Sequence, residues 1–158
     1  KVALFDVEVE ERQRLFRPPR MQHRVDAVLG EDMRLLGYDL ASSTVRRGDT
    51  VDLTTHWQAL RPMDAVYAMF NHLVGADGSI VAQVDSWPQG GMYPTVQWWS
   101  GEVVEEQYAI LVPHDAIPGQ YELRVGIYNA SNGERPVTLV DGVSIPERYV
   151  VLTAISVE

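Results

Sequence analysis

A chain of 158 residues, 46% of them apolar, is long enough for one domain with its own core and short for two. Its 22 acidic against 13 basic residues leave a net charge of −9, which argues against nucleic acid as a partner. With no cysteine, disulfide frameworks, thiolate metal sites and cysteine nucleophiles are all excluded.

In chain order, the first segment is strand-like. Lys1–Glu10 reads KVALFDVEVE and matches YVVLTAISVE at Tyr149–Glu158 without gaps, with Val2 on Val150, Leu4 on Leu152 and Val9 on Val157. Two readings stay open: the last strand of a preceding, similar domain, or this domain's own first or edge strand. The next stretch holds Arg12, Arg14, Arg17 and Arg20 around Pro18-Pro19, with Arg24 just beyond, and reads as a solvated, extended linker. Residues 1–23 are therefore taken as leading strand plus linker, and residues 24–158 as the main domain. The chain begins at Lys1 without a signal peptide and reads as a fragment of a longer protein. No run of about twenty apolar residues is present, so direct membrane insertion is not expected.

Beyond the linker the pattern is short alternating segments. Val51, Leu53, Thr55, Trp57 and Ala59 alternate with Asp52, Thr54, His56 and Gln58, one face buried and one wet. Ile80–Asp85, Tyr108–Val112 and Gln120–Tyr128 repeat the alternation, while Ala65–Val74 is apolar on both faces and reads as a covered central strand. Gly75–Gly78, Pro118-Gly119 and Asn129–Gly133 supply the turn chemistry. About nine or ten strands at roughly ten-residue spacing predict an all-β, two-sheet antiparallel sandwich, immunoglobulin-like or jelly-roll-like.

Catalytic and metal chemistry finds little support. His23, His56, His72 and His114 show no metal-ligand spacing; His72 reads as a core or interfacial histidine and His56 as solvent-facing. A Gly-x-Ser-x-Gly elbow and a phosphate-cradling glycine loop are both missing. Glu105 and Glu106 point to opposite faces if extended, and Arg47-Gly48-Asp49 reads as an ordinary turn. No enzyme activity, cofactor or metal is expected.

The segment Asp85–Trp99, DSWPQGGMYPTVQWW, is different. Trp87, Trp98, Trp99 and Tyr93 fall within a long loop, where flat aromatic faces beside polar groups suit sugar recognition. Gln83, Asp85, Trp87, Tyr93, Trp98 and Trp99 form the candidate ligand-binding set. The competing reading is a plug of aromatics closing one end of the sandwich. In an extended backbone Trp98 and Trp99 cannot both face inward.

Several strings occur together: Gln22-His23 with Asp26, Met33–Leu40, Arg47–Thr50, Trp57–Ala59, His72-Leu73 before Ala76–Gly78, Tyr93–Thr95, Trp98 with Gly101-Glu102, Pro118–Tyr121, and Gly126–Tyr128 with Gly133–Arg135. From Gln22 to about Val157 the chain resembles the C-terminal β-sandwich of bacterial multi-pass membrane proteins of the glycosyltransferase type, with Asn71 departing where an apolar residue is usual. That resemblance implies a location on the outer side of the cytoplasmic membrane, attached through a parent protein. A weaker likeness, at Asp77-Gly78 and Pro118–Tyr121, is to the polysaccharide-recognising sandwich of O-antigen export ATPases. The expectation is a non-catalytic structural or interaction domain whose partners are neighbouring domains; the alternative is a carbohydrate-binding module using the aromatic loop.

Overall fold

The computed structural model describes residues 12–158, so the expectation for Lys1–Glu10 falls outside the described residues. Two sheets pack face to face. One has six strands in the order β10 (Val143–Ile145), β9 (Thr138–Val140), β1 (His23–Leu29), β2 (Met33–Leu40), β4 (Thr50–Ala59), β7 (Val103–Leu111). The other has five: β3 (Thr44–Val45), β11 (Val150–Val157), β8 (Gly119–Asn129), β5 (Tyr67–Val74), β6 (Ile80–Ser86). The all-β two-sheet sandwich is as expected. The short strands β3, β9 and β10 are too brief to show a period, and β3 pairs parallel with β11.

Alternation builds the core. On β4, Val51, Leu53, Thr55, Trp57 and Ala59 are all buried between the sheets. Tyr121, Leu123, Val125 and Ile127 of β8 meet them from the other sheet. Every residue of β5 is buried, Asn71 and His72 included, as expected for a covered central strand. Met69 and Leu73 face the core, and Phe70 faces outward. Phe70 remains covered because Arg135 lies over its ring at 4.1 Å and Tyr128 stacks beside it.

His56 corrects an expectation. It belongs to the outward register of β4, yet it is buried. The chain entering β1 crosses that face at Gly37, where an added Cβ would stand 2.2 Å from the His23 carbonyl oxygen. Gly37 pairs with His56 across the ladder, so the crossing covers the imidazole. His56 Nε2 lies 2.8 Å from Asp39 Oδ2, and this hydrogen bond is the main reason the Asp39 carboxyl is held below its usual pKa.

Strands β6 and β7 are the outermost members of their respective sheets at the same side of the sandwich. The predicted aromatic loop connects these two edges, and the site is built around them.

Candidate functional site

The loop is ordered by backbone geometry and by one threonine. After β6 it makes a tight turn at Pro88–Gly91, where Gln89, Gly90 and Gly91 take positive φ. A second turn at Thr95–Gln97 is pinned to the start of β5: the Thr95 hydroxyl donates to the Ala65 carbonyl at 2.8 Å and accepts the Tyr67 N–H at 3.0 Å.

The loop aromatics divide. Tyr93 and Trp98 are each 2% exposed, stacked at 6.1 Å between centroids, with Trp98 Nε1 donating to the Tyr93 carbonyl. They close the end of the sandwich and cannot serve as an open platform. Trp87 and Trp99 are 53% and 56% exposed. Of the six residues predicted for binding, the structure therefore does not gather one surface: Trp87 packs beside Gly91, whereas Trp99 lies against Arg14 and Phe16.

What Trp99 meets is the segment read from sequence as a solvated linker, and this is a second correction. Arg14 Nη1 pairs with Glu102 Oε1 at 2.9 Å, and its guanidinium lies 4.0 Å over the Trp99 ring. Arg12 covers the Tyr93 ring at 3.7 Å. Leu15 bridges to Val103 on β7, with the Val103 N–H donating to the Leu15 carbonyl at 2.7 Å. Glu102 is itself only 2% exposed. A buried carboxylate needs compensation, and it also receives the Tyr93 hydroxyl at 2.7 Å and the Trp99 N–H at 2.9 Å. Burial and the Glu102 carboxylate push the Tyr93 hydroxyl up to about 12. Arg17, Arg20 and Arg24 do remain exposed, so only Arg12 and Arg14 of the five arginines were misread.

Gln83 and Asp85 lie on the outward face of the five-stranded sheet, paired across the ladder with His72 and Phe70. Trp87 continues their alternation in extended backbone. Asp85 Oδ1 lies 3.5 Å from His72 Nε2, and His72 packs on Phe70 at 4.8 Å between centroids. Burial holds the His72 imidazole below its usual pKa despite the Asp85 charge. Arg124, opposite His72 on β8, reaches over Tyr149 at 4.4 Å. This face thus presents acceptors, donors and aromatic rings in one row.

A further site lies in the cleft where edges β6 and β7 part, a space of about 660 Å³ lined by Val84, Ser86, Gln89, Gly90, Glu106 and Tyr108. Alternation on β7 turns Val104, Glu106, Tyr108 and Ile110 inward and leaves Glu105 exposed. Glu106 is 5% exposed and accepts the Gln89 N–H at 3.0 Å. Burial raises its pKa to about 7. The Tyr108 hydroxyl is buried without a hydrogen bond of good geometry, although Ser86, Asn71 and Thr55 surround it. Sequence reasoning noted the opposed Glu105-Glu106 pair but missed the site. The available signal was a glutamate in the inward register of an otherwise apolar strand, together with Asn71 in β5. Among the described residues no three His, Asp or Glu side chains converge into a metal-binding group.

No family model matches the chain, and no curated protein matches it. Among solved structures, the C-terminal domain of Wzt superposes with a TM-score of 0.59 at 14% identity, over 88% of this chain and 82% of that one. A CARDB domain from Pyrococcus furiosus covers 90% of this chain and 96% of its own at 10% identity, with a TM-score of 0.42. The alkylpurine DNA glycosylase AlkC from Pseudomonas fluorescens matches 87% of this chain at 13% identity and a TM-score of 0.41, over 31% of its own length. The two lower scores carry no argument. The first establishes the fold: the chain is a two-sheet β-sandwich similar to the C-terminal domain of Wzt.

Proposed function

We propose that the chain is a non-catalytic interaction module of a larger membrane-associated bacterial protein, carried on the outer side of the cytoplasmic membrane. The observation that supports it best is the docking of Arg12–Leu15 onto the sandwich through buried Glu102. A module joined by a free linker samples many orientations; one whose leading segment is pinned by a buried ion pair holds a fixed angle to what precedes it. Leu15, Phe16 and Trp99 are exposed beside that junction and offer an apolar surface to a neighbouring domain. The location rests on the resemblance to the sandwiches of glycosyltransferase-type membrane proteins.

Backbone 15N relaxation tests the docking. Residues 12–16 should be as rigid as β7, and Arg14→Ala should release them; high mobility in the unaltered protein would sink the reading. Protease added to intact cells producing the parent protein should cleave within the module if it lies outside the membrane.

A second reading, glycan binding, is favoured by the row Gln83, Asp85 and exposed Trp87 beside Arg124 and Tyr149. Titration with bacterial glycans should quench Trp87 emission and lose the response in Trp87→Ala. An unchanged spectrum at saturating glycan would exclude it.

A further inference from the structure

Glu106 has a chemical problem that the fold leaves unsolved. Its carboxyl is turned between the sheets at 5% exposure, and among the described residues no cation lies within ion-pair distance. Glu102, four residues earlier and just before the same strand, shows the ordinary solution, an arginine at 2.9 Å. Arg12 is the nearest positive influence on Glu106, but its guanidinium is committed to the Tyr93 ring. Gln89 supplies N–H donors at 3.0 and 3.5 Å, which orient the carboxylate without neutralising it.

The space in front of that carboxyl is not filled. The cleft between β6 and β7 measures about 660 Å³, enough for a monosaccharide-sized molecule, and opens between two edge strands. Apart from Glu105 on the rim, its other polar groups are neutral: the Ser86 hydroxyl, the Gln89 and Gln107 amides and the Tyr108 hydroxyl, which has no well-aligned partner. A molecule matching this lining brings one positive charge to Glu106 and hydroxyls to the neutral groups. An anion is disfavoured by the Glu106 carboxyl inside the cleft and by Glu105 on its exposed rim.

We propose that the β6–β7 cleft is a binding site for a small hydroxylated primary amine, whose ammonium pairs with Glu106 while its hydroxyls meet Ser86 and Gln89. The site is separate from the outward row of Gln83, Asp85 and Trp87 and stands or falls independently of it. Binding converts a solitary buried carboxylate into a charge-assisted pair, so affinity depends on the amine being charged and on Glu106 being ionised. The groups that bear on that ionisation are Arg12 from the leading segment, Gln89 from the loop, and Glu105 and Tyr108 on β7 itself.

The experiment is calorimetry and 1H–15N NMR with D-glucosamine as the probe, and D-glucose and N-acetylglucosamine as neutral controls. Glucosamine should bind, shifting the amides of Ser86, Gln89 and Glu106, and both neutral sugars should bind at least about tenfold more weakly. Glu106→Gln should erase that preference, whereas Asp52→Asn, which removes an exposed charge on β4, should keep it. A 13C carboxyl titration of the unaltered protein gives a readout free of any folding defect: glucosamine should lower the Glu106 pKa, and glucose should not. Absence of glucosamine binding, equal binding of the three sugars, equal losses in the two variants, or an unmoved Glu106 titration would each overturn the proposal.

Discussion

The Tyr93 hydroxyl donates to Glu102 at 2.7 Å inside the end of the sandwich, joining the loop to the carboxylate that also holds Arg14. One phenol therefore links the aromatic cap, strand β7 and the leading segment. Removing it in Tyr93→Phe leaves a buried carboxylate short of a donor, which costs about 1–3 kcal/mol. Urea unfolding should show a lower midpoint with an unchanged slope, since the same surface is exposed. A midpoint equal to that of the unaltered protein would mean water replaces the hydroxyl.

Tryptophan fluorescence should separate into two populations. Trp57 and Trp98 lie in the core, while Trp87 and Trp99 are about half exposed. Acrylamide should quench the unaltered protein readily and the double variant Trp87→Phe/Trp99→Phe poorly, with the residual emission shifted to the blue. Strong quenching of the double variant would place Trp98 at the surface and dissolve the cap.

Two glycines should respond differently to alanine. At Gly126 a Cβ would stand 2.3 Å from Phe70 Cζ, and that ring is boxed in by Arg135 and Tyr128. The ring must shift, so Gly126→Ala should cost about 1–3 kcal/mol by overpacking. At Gly78 nothing lies within 4 Å, and only the positive φ of 82° is strained. Gly78→Ala should cost about 1 kcal/mol. Melting temperatures of the two variants check the order, which reverses only if Phe70 has room to move.

The strands were legible because burial imposes a period on them: β4 and β8 alternate along most of their length, and β5 is apolar apart from Asn71 and His72. The division between Trp98 and Trp99 was legible for the same reason. What alternation cannot report is which outward residues are later covered by distant chain. His56 is buried by a crossing at Gly37, and Arg14 is half-buried against a loop of much higher residue number; both depend on contacts between segments far apart in sequence. The platform residues divide on similar grounds. Gln83 and Asp85 follow the sheet, whereas Tyr93 and Trp98 turn inward with a loop whose path is set by Thr95 and by positive φ at Gln89 and Gly90. Glu106 was hidden because a lone carboxylate on a strand is ordinary unless the inward register is read before the residue type.

Stability should fall as pH rises from about 4.5 toward neutrality, and Glu106 is the cause. Burial raises its pKa from the ordinary 4.5 to about 7 in the folded protein. Between those values the unfolded chain has released this proton and the folded chain still holds it, so unfolding is coupled to proton release and the folded state loses ground with each increment of pH. The stabilisation is fully present below about pH 4.5 and is lost as pH passes about 7, where the carboxyl ionises in both states. The total is on the order of 3 kcal/mol. Glu106→Gln, which keeps the shape of the neutral acid, should flatten this component. Subtracting the two stability curves between pH 4.5 and 8 isolates it from His72 and Asp39, which titrate in both proteins. A flat difference curve would mean that Glu106 is as well solvated in the folded protein as in the unfolded chain, which would also remove the desolvated carboxylate on which the amine site depends.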